Sequence, residues 1–189
     1  DIDGDTLSYT YSTPSKGTVA QTTAGSYTYT PTTNATGADS FTVTISDGTS
    51  TDVVQTVSVS ITAINDTPIT DSTSSLSVTE DGAASGTITA TDIDGDSLSY
   101  TYSTPSKGTV AETTAGSYTY TPTANATGVD SFTVAVSDGT ESVTQTVNVN
   151  ITAENDAPFT EVTSSLSVTE DGAASGTITA TDIDGDSLN

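Results

Sequence analysis

The run Asp92-Ile93-Asp94-Gly95-Asp96 sets three carboxylates within five residues, and the pattern recurs at Asp1 to Asp5 and Asp182 to Asp186. Side chains at alternating positions converge on one centre where the backbone turns, and Gly95 permits such a turn. A donor set made only of oxygens suits a hard cation, calcium above all. The helix-loop-helix type of calcium loop is ruled out, because the position that must hold a closing Glu, counted from Asp92, is Ser103. Catalytic chemistry has little to use. There is no His and no Cys, and Lys16 and Lys107 are the only cationic side chains, so no nucleophile and base can be paired. Carboxylate pairs in solvated turns bind ions more readily than they do acid–base work, which requires a raised pKa in a secluded pocket. The chain is therefore expected not to be an enzyme.

The charge balance points the same way. With 25 acidic residues the formal net charge is -23, which sets the chain against nucleic acid and anionic membrane surfaces as partners. No apolar run approaches the roughly 18 residues of a membrane span, so no membrane insertion is expected. No leader peptide is visible, but the chain begins inside a repeat and reads as a fragment, so that carries no information. Leu, Ile, Val and Phe make up only 34 of 189 residues, a level at which high net charge often means disorder. Against disorder stands the alternation of Thr, Val, Tyr and Ile with polar residues in short runs. Folding such a polyanion favours bound cations, and in the absence of cysteine ions rather than disulfides are the expected staples.

The elements that must position these acids come from a repeat. Residues 1–45 match residues 92–136 with six mild differences, at an offset of 91, and the offset becomes 90 after the Asp138-Gly139 turn. A period near 90 suits a whole small domain repeated in tandem rather than a solenoid coil. Within one period the spacing predicts seven strands: A over 74–79, B over 86–91, C over 98–104, D over 108–113, E over 117–121, F over 130–137 and G over 145–153. Nothing reads as a helix. Period-two alternation picks the core: Leu76 and Val78, Ile88 and Ala90, Leu98, Tyr100 and Tyr102, Val110, Tyr118 and Tyr120, Phe132, Val134 and Val136, and Val147, Val149 and Ile151. The expected fold class is all-β, tandem seven-stranded antiparallel Greek-key β-sandwiches of about 90 residues each. In that register residues 1–66 supply strands C to G of one sandwich, 67–157 a complete one, and 158–189 strands A and B of a third.

Successive turns of such a sandwich alternate between its ends, which sorts the acids. Turns B–C and F–G carry Asp92, Asp94, Asp96 and Asp138 at one end; turn A–B, the E–F corner and the outgoing linker carry Glu80, Asp81, Asp130, Asn155 and Asp156 at the other. Domains joined end to end would bring these sets together, and calcium would relieve the repulsion. The joint near Pro158 is assigned Glu80, Asp81, Asn155, Asp156, Asp182, Asp184 and Asp186. The joint near Pro68 is assigned Asn65, Asp66, Asp92, Asp94, Asp96 and Asp138.

Taken together, Asp92-Ile93-Asp94-Gly95-Asp96, Gly116-Ser117-Tyr118-Thr119-Tyr120-Thr121-Pro122, Asp130-Ser131-Phe132-Thr133-Val134, Ser137-Asp138-Gly139 and Asn155-Asp156-Ala157-Pro158 resemble the cadherin-like (Ig-like) tandem repeats of giant bacterial surface adhesins, including RTX adhesin extender regions. The resemblance covers essentially the whole chain. It implies an exported, cell-surface fibre of β-sandwiches in which calcium at the linkers stiffens the string. The linker departs from the animal cadherin pattern, with Ala153 where an acid three residues before Asp156 is expected. The expected function is a calcium-rigidified spacer whose partners are neighbouring repeats of the same chain. Two alternatives stay open: a filament subunit joined to other copies by strand complementation, and a calcium-dependent carbohydrate-binding module. Asn34, Asn65, Asn125 and Asn150 begin glycosylation tripeptides that chance explains in so Thr-rich a chain. Lys107 reads as a solvated turn lysine, and Tyr100, Tyr102, Tyr118 and Tyr120 as core rather than a sugar platform.

Overall fold

The computed structural model describes residues 4–161 and 163–188. The residues at positions 1–3 of the first acidic run lie outside these. The described residues form sixteen strands and no helix, and divide into two compact units. Unit 1 comprises the residues up to Asp66 together with Ile93–Asp96; unit 2 comprises Thr67–Asp92 and the residues from Ser97 on.

Unit 2 contains a whole sandwich. One sheet has the order β10 (Ser99–Tyr102), β13 (Gly128–Ser137), β14 (Ser142–Thr152), β7 (Thr73–Thr79); the other has the order β11 (Gly108–Thr114), β12 (Ser117–Pro122), β8 (Ala84–Thr87). Alternation decides which faces meet. In β13, Phe132, Val134 and Val136 point inward, and in β14 so do Val147, Val149 and Ile151, all at most 2% exposed. The aromatic residues of the second sheet pack on them: the Tyr118 and Phe132 rings meet edge to face at 5.2 Å, and Tyr120 stacks on Phe132 at 6.1 Å. Every apolar position picked out by alternation belongs to this core or packs against its edge.

Three features differ from the expected strand scheme. The first strand, β7, pairs with β14 in parallel, Leu76 facing Val149, whereas the pattern pointed to antiparallel pairing throughout. Strand B is broken into β8 and β9 (Ala90–Thr91). Between them the Ile88 amide donates to the Gly116 carbonyl at 2.7 Å and the Ile88 side chain enters the core, so the chain crosses from β12 to a short pair with β6 (Ile69–Thr70) in the linker. Residues 163–179, where A and B strands of a third sandwich are expected, hold no strand. There Phe159–Thr160 (β15) pairs with Ala180–Thr181 (β16).

Unit 1 has a three-stranded sheet, β1 (Ser8–Tyr11), β4 (Gly37–Ser46), β5 (Val53–Ile61), and a two-stranded one, β2 (Gly17–Thr23) with β3 (Ser26–Pro31). These repeat the C to G strands of unit 2, including the edge-to-face contact of Tyr27 with Phe41 at 5.2 Å. No helix among the described residues is long and apolar enough to cross a membrane.

Candidate metal centre

Three acids placed by three different elements meet in unit 2. Glu80 follows β7, Asp156 lies in the linker that leaves β14, and Asp184 sits in the acidic turn that follows β16. One carboxylate oxygen from each lies within 4.8 Å of the others. Glu80 is 2% exposed, an unusual position for an acid, and its Oε1 accepts the amide of Glu154 at 2.8 Å. That bond ties the end of β7 to the linker. The Asp156 amide in turn donates to Asp184 Oδ2 at 2.6 Å, which draws the acidic turn onto the same linker. The turn is shaped by Asp182, whose Oδ1 accepts the amides of Asp184 at 3.0 Å and Asp186 at 3.1 Å, while Gly185 takes a φ of 81°. A side chain at that φ would be strained, which is why glycine stands there.

The electrostatics are those of a site short of positive charge. Burial raises the Asp156 pKa, and the charges of Asp81, Asp184, Glu80 and Asp182 raise it further. Its Oδ2 is buried without a hydrogen-bond partner. An orphaned carboxylate oxygen facing other carboxylates is costly unless a cation completes it. Calcium fits this donor set. Oxygens at about 2.3–2.6 Å from such an ion lie no more than about 4.6–5.2 Å apart, and the oxygens of the three acids, all within 4.8 Å of one another, are close enough to share one ion. Beside them Asn125, Asp156, Phe159 and Ile183 help line an open cleft of about 600 Å³, wide enough for a hydrated ion to enter.

The remaining assigned residues fall in distinct places. Asp81 and Asp182 stand close enough to act on Asp156, whereas Asp186 lies outside the three-acid group. Asn155 braces the linker, its Nδ2 donating to the Asp156 carbonyl at 2.9 Å. In unit 1 the same linker geometry recurs: the Asp66 amide donates to Asp94 Oδ2 at 2.7 Å, and Asn65 Nδ2 to the Asp66 carbonyl at 3.3 Å. Asp96 belongs to unit 1 with Asp94, while Asp92, directly after β9, belongs to unit 2 and is half-buried. Asp138 caps its own turn, its Oδ1 accepting the amides of Thr140 at 2.6 Å and Glu141 at 2.7 Å.

Asp130, grouped by the sequence with the acids facing a joint, is instead a buried acceptor within the sandwich. Its carboxylate takes the Tyr120 hydroxyl at 2.7 Å, the Ser106 hydroxyl at 2.7 Å and the Lys107 amide at 2.8 Å. Sequence reasoning also passed over Gln145, 3% exposed, which accepts the Thr70 hydroxyl at 2.8 Å and so anchors the linker strand. The signal for both was available as a polar residue on the inward phase of a strand, Asp130 with Phe132 and Gln145 with Val147.

A family model described as bacterial Ig domain matches residues 1–60 and 65–151. The chain belongs to the bacterial Ig domain family. Among solved structures, this bacterial Ig chain is similar to the EC1-2 portion of human protocadherin-24, with a TM-score of 0.54 and 16% identity over 80% of this chain and 84% of that one. That likeness shows the cadherin-like and Ig-like sandwich fold. The endo-fucoidan hydrolase MfFcnA4 of glycoside hydrolase family 107 matches with a TM-score of 0.40 and 24% identity, over 82% of this chain. Domains 4-9 of the surface layer protein SbsC match with a TM-score of 0.33 and 22% identity, over 94% of this chain and 28% of that one. The bacterial Ig chain spans about a quarter of the length of the hydrolase, 24%. No curated protein matches it.

Proposed function

We propose that this chain is a calcium-rigidified structural repeat of an extracellular bacterial adhesin or surface fibre, acting as a spacer rather than a catalyst. The observation that carries the reading is the Glu80, Asp156 and Asp184 group, in which the Asp156 carboxylate has a buried oxygen with no hydrogen-bond partner. The residues that would hold the ion come from the end of β7, from the linker and from the following acidic turn, so an ion there would fasten the linker at both sides. A fastened linker limits bending, which is the property a spacer needs. The two-fold recurrence of the linker contact, at Asp66 with Asp94 and at Asp156 with Asp184, supports a role repeated along the chain. Extracellular calcium is abundant enough for weak sites, with dissociation constants on the order of 10⁻⁴–10⁻³ M, to be filled only outside the cell.

Calorimetric titration of the chelator-treated chain with calcium tests this. Binding in that range is expected, and Glu80→Gln and Asp184→Asn should each weaken it by about tenfold. Absence of binding heat up to 10 mM calcium, or affinity unchanged in both variants, would sink the reading.

A further inference from the structure

We infer that the outward face of the four-stranded sheet of unit 2, β10-β13-β14-β7, is a docking surface for the same face of a second copy of this chain. This goes beyond the spacer reading and does not depend on calcium.

The face is marked by the chemistry of its side chains. Inward positions of the four strands hold the core, and every outward position is Ser, Thr or Asn except Val129 and Ala135. Strand register sets them in rows across the sheet: Thr133 faces Thr146, which faces Thr73, and Ser131 faces Asn148, which faces Ser75. No outward position carries a charge, in a chain with 25 acids, whereas a well-solvated surface is ordinarily about 25–35% charged. The acids of unit 2 lie in turns and linkers, apart from Asp130, which is turned inward, and Glu112, which belongs to the other sheet. Strand propensity explains the threonines but not the whole pattern. Asn is depleted in strands, yet Asn148 and Asn150 take successive outward positions on the inner strand β14. In unit 1 the outward positions of β1, β4 and β5 are likewise uncharged.

Charge and area together name the occupant. A second copy is repelled wherever its acids meet the acidic turns, and this face is where it meets none. Ser, Thr and Asn lose less side-chain freedom on ordering than Lys or Glu, and each offers a donor and an acceptor, so two such faces satisfy one another directly or through water. Their short side chains allow the spacing of roughly 10 Å at which sheets stack. At about 3.4 Å per residue and about 4.8 Å between strands the sheet covers roughly 500 Å², so a face-to-face pair buries about 1,000 Å². That is the lower bound for a specific interface and fits a weak, reversible one. Because both copies offer the same patch, the contact closes as a pair about a two-fold axis, and Thr133 and Thr146 on the two inner strands lie at its centre. The remaining repulsion between acidic turns is long-range, so salt should strengthen the contact.

Sedimentation equilibrium of the full chain in chelator, where no ion can bridge acids of different copies, reads the outcome from micromolar to millimolar concentration and from 0.02 to 0.5 M sodium chloride. The expected result is a mass that rises from 19.0 kDa toward twice that value with concentration and with salt. Thr133→Glu sets like charges against each other at the centre of the contact and should weaken association about tenfold or more. Thr109→Glu adds the same charge on the outward side of the other sheet and should associate as the wild type does. Both sites are exposed, so neither variant should change the thermal unfolding midpoint. A wild-type chain that stays at 19.0 kDa throughout overturns the inference, and so does equal association of the two variants. Retention of a single-copy chain on a neutral dextran matrix would assign the face to a glycan and overturn it likewise.

Discussion

At the scale of single residues, the most informative position is Asp130. An acid in a chain this acidic invites a surface or metal role, yet this one is an internal acceptor that joins the C–D turn to strands β12 and β13. Burial alone would raise its pKa, but hydrogen bonds from Tyr120, Ser106 and the Lys107 and Ser131 amides outweigh that effect and hold the carboxyl well below the usual carboxylate range. Asp39 repeats the arrangement in unit 1 with Tyr29 at 2.7 Å and the Lys16 amide at 2.8 Å, and the Tyr29 phenol is pushed up to about 12 by burial and by that carboxylate. Replacing Asp130 by Ala leaves several buried donors unpaired and should cost about 3 kcal/mol in urea unfolding. The sign of the pH dependence follows from the lowered pKa. The carboxylate's contribution is complete above its unfolded value near 3.9 and is lost as pH falls below that toward the folded value. Wild-type stability should therefore decline below about pH 4, while Asp130→Asn, with no such group to protonate, should lose less over the same interval; parallel curves would dismiss the role.

At the scale of elements, the two copies of one strand measure what neighbouring strands contribute. Tyr27 exposes 37 percentage points more than Tyr118, the difference between 40% and 3%. For a side chain that buries about 200 Å², this is roughly 70 Å² of ring left in water, or about 2 kcal/mol at 25 cal/mol per Å². Amides of β3 should accordingly exchange faster with solvent than those of β12 in a dilute sample, and equal protection would show that β7 and β8 matter little. The close fit on the complete side gives a second expectation. Gly86→Ala must displace the Tyr118 ring and should destabilise unit 2 by about 1–3 kcal/mol, whereas Gly176→Ala should fall within about 0.5 kcal/mol of wild type in thermal unfolding. Much of this was legible beforehand. Alternation marks Phe132, Val134 and Val136 as core because side-chain phase along a strand is a local property. Pairing partners are not local: the parallel contact of Leu76 with Val149 and the crossing of Ile88 to Gly116 depend on where distant strands arrive, and alternation carries no such information. For the same reason the acids could be sorted to ends of a sandwich while Asp130 was misplaced, since the Tyr120 hydroxyl that holds it is set by sheet packing.

At the scale of the whole molecule the governing quantity is a net charge of -23, and two kinds of repulsion must be separated. Most of the acids are exposed and far apart, and their mutual repulsion is screened by any salt: the Debye length falls from about 30 Å at 0.01 M to about 8 Å at 0.15 M. Glu80, Asp156 and Asp184 are different, because their oxygens lie within 4.8 Å of one another and Glu80 is buried, so mobile salt ions screen this local repulsion far less. Sodium chloride should therefore raise the unfolding temperature of the calcium-free chain and then level off, with the local repulsion largely untouched. A chelated ion acts on that remainder. With a dissociation constant of about 1 mM, 10 mM calcium stabilises by RT ln 11, about 1.4 kcal/mol per site, which for a domain of this size is on the order of 5–10 °C. That increment should appear in 0.5 M sodium chloride nearly as large as in 0.05 M, and should fall to RT ln 2, about 0.4 kcal/mol, in Asp184→Asn, whose binding is expected to be about tenfold weaker. If instead calcium adds nothing once sodium chloride has levelled off, the acids act only as a diffuse charge, and the linker is not fastened by an ion at all.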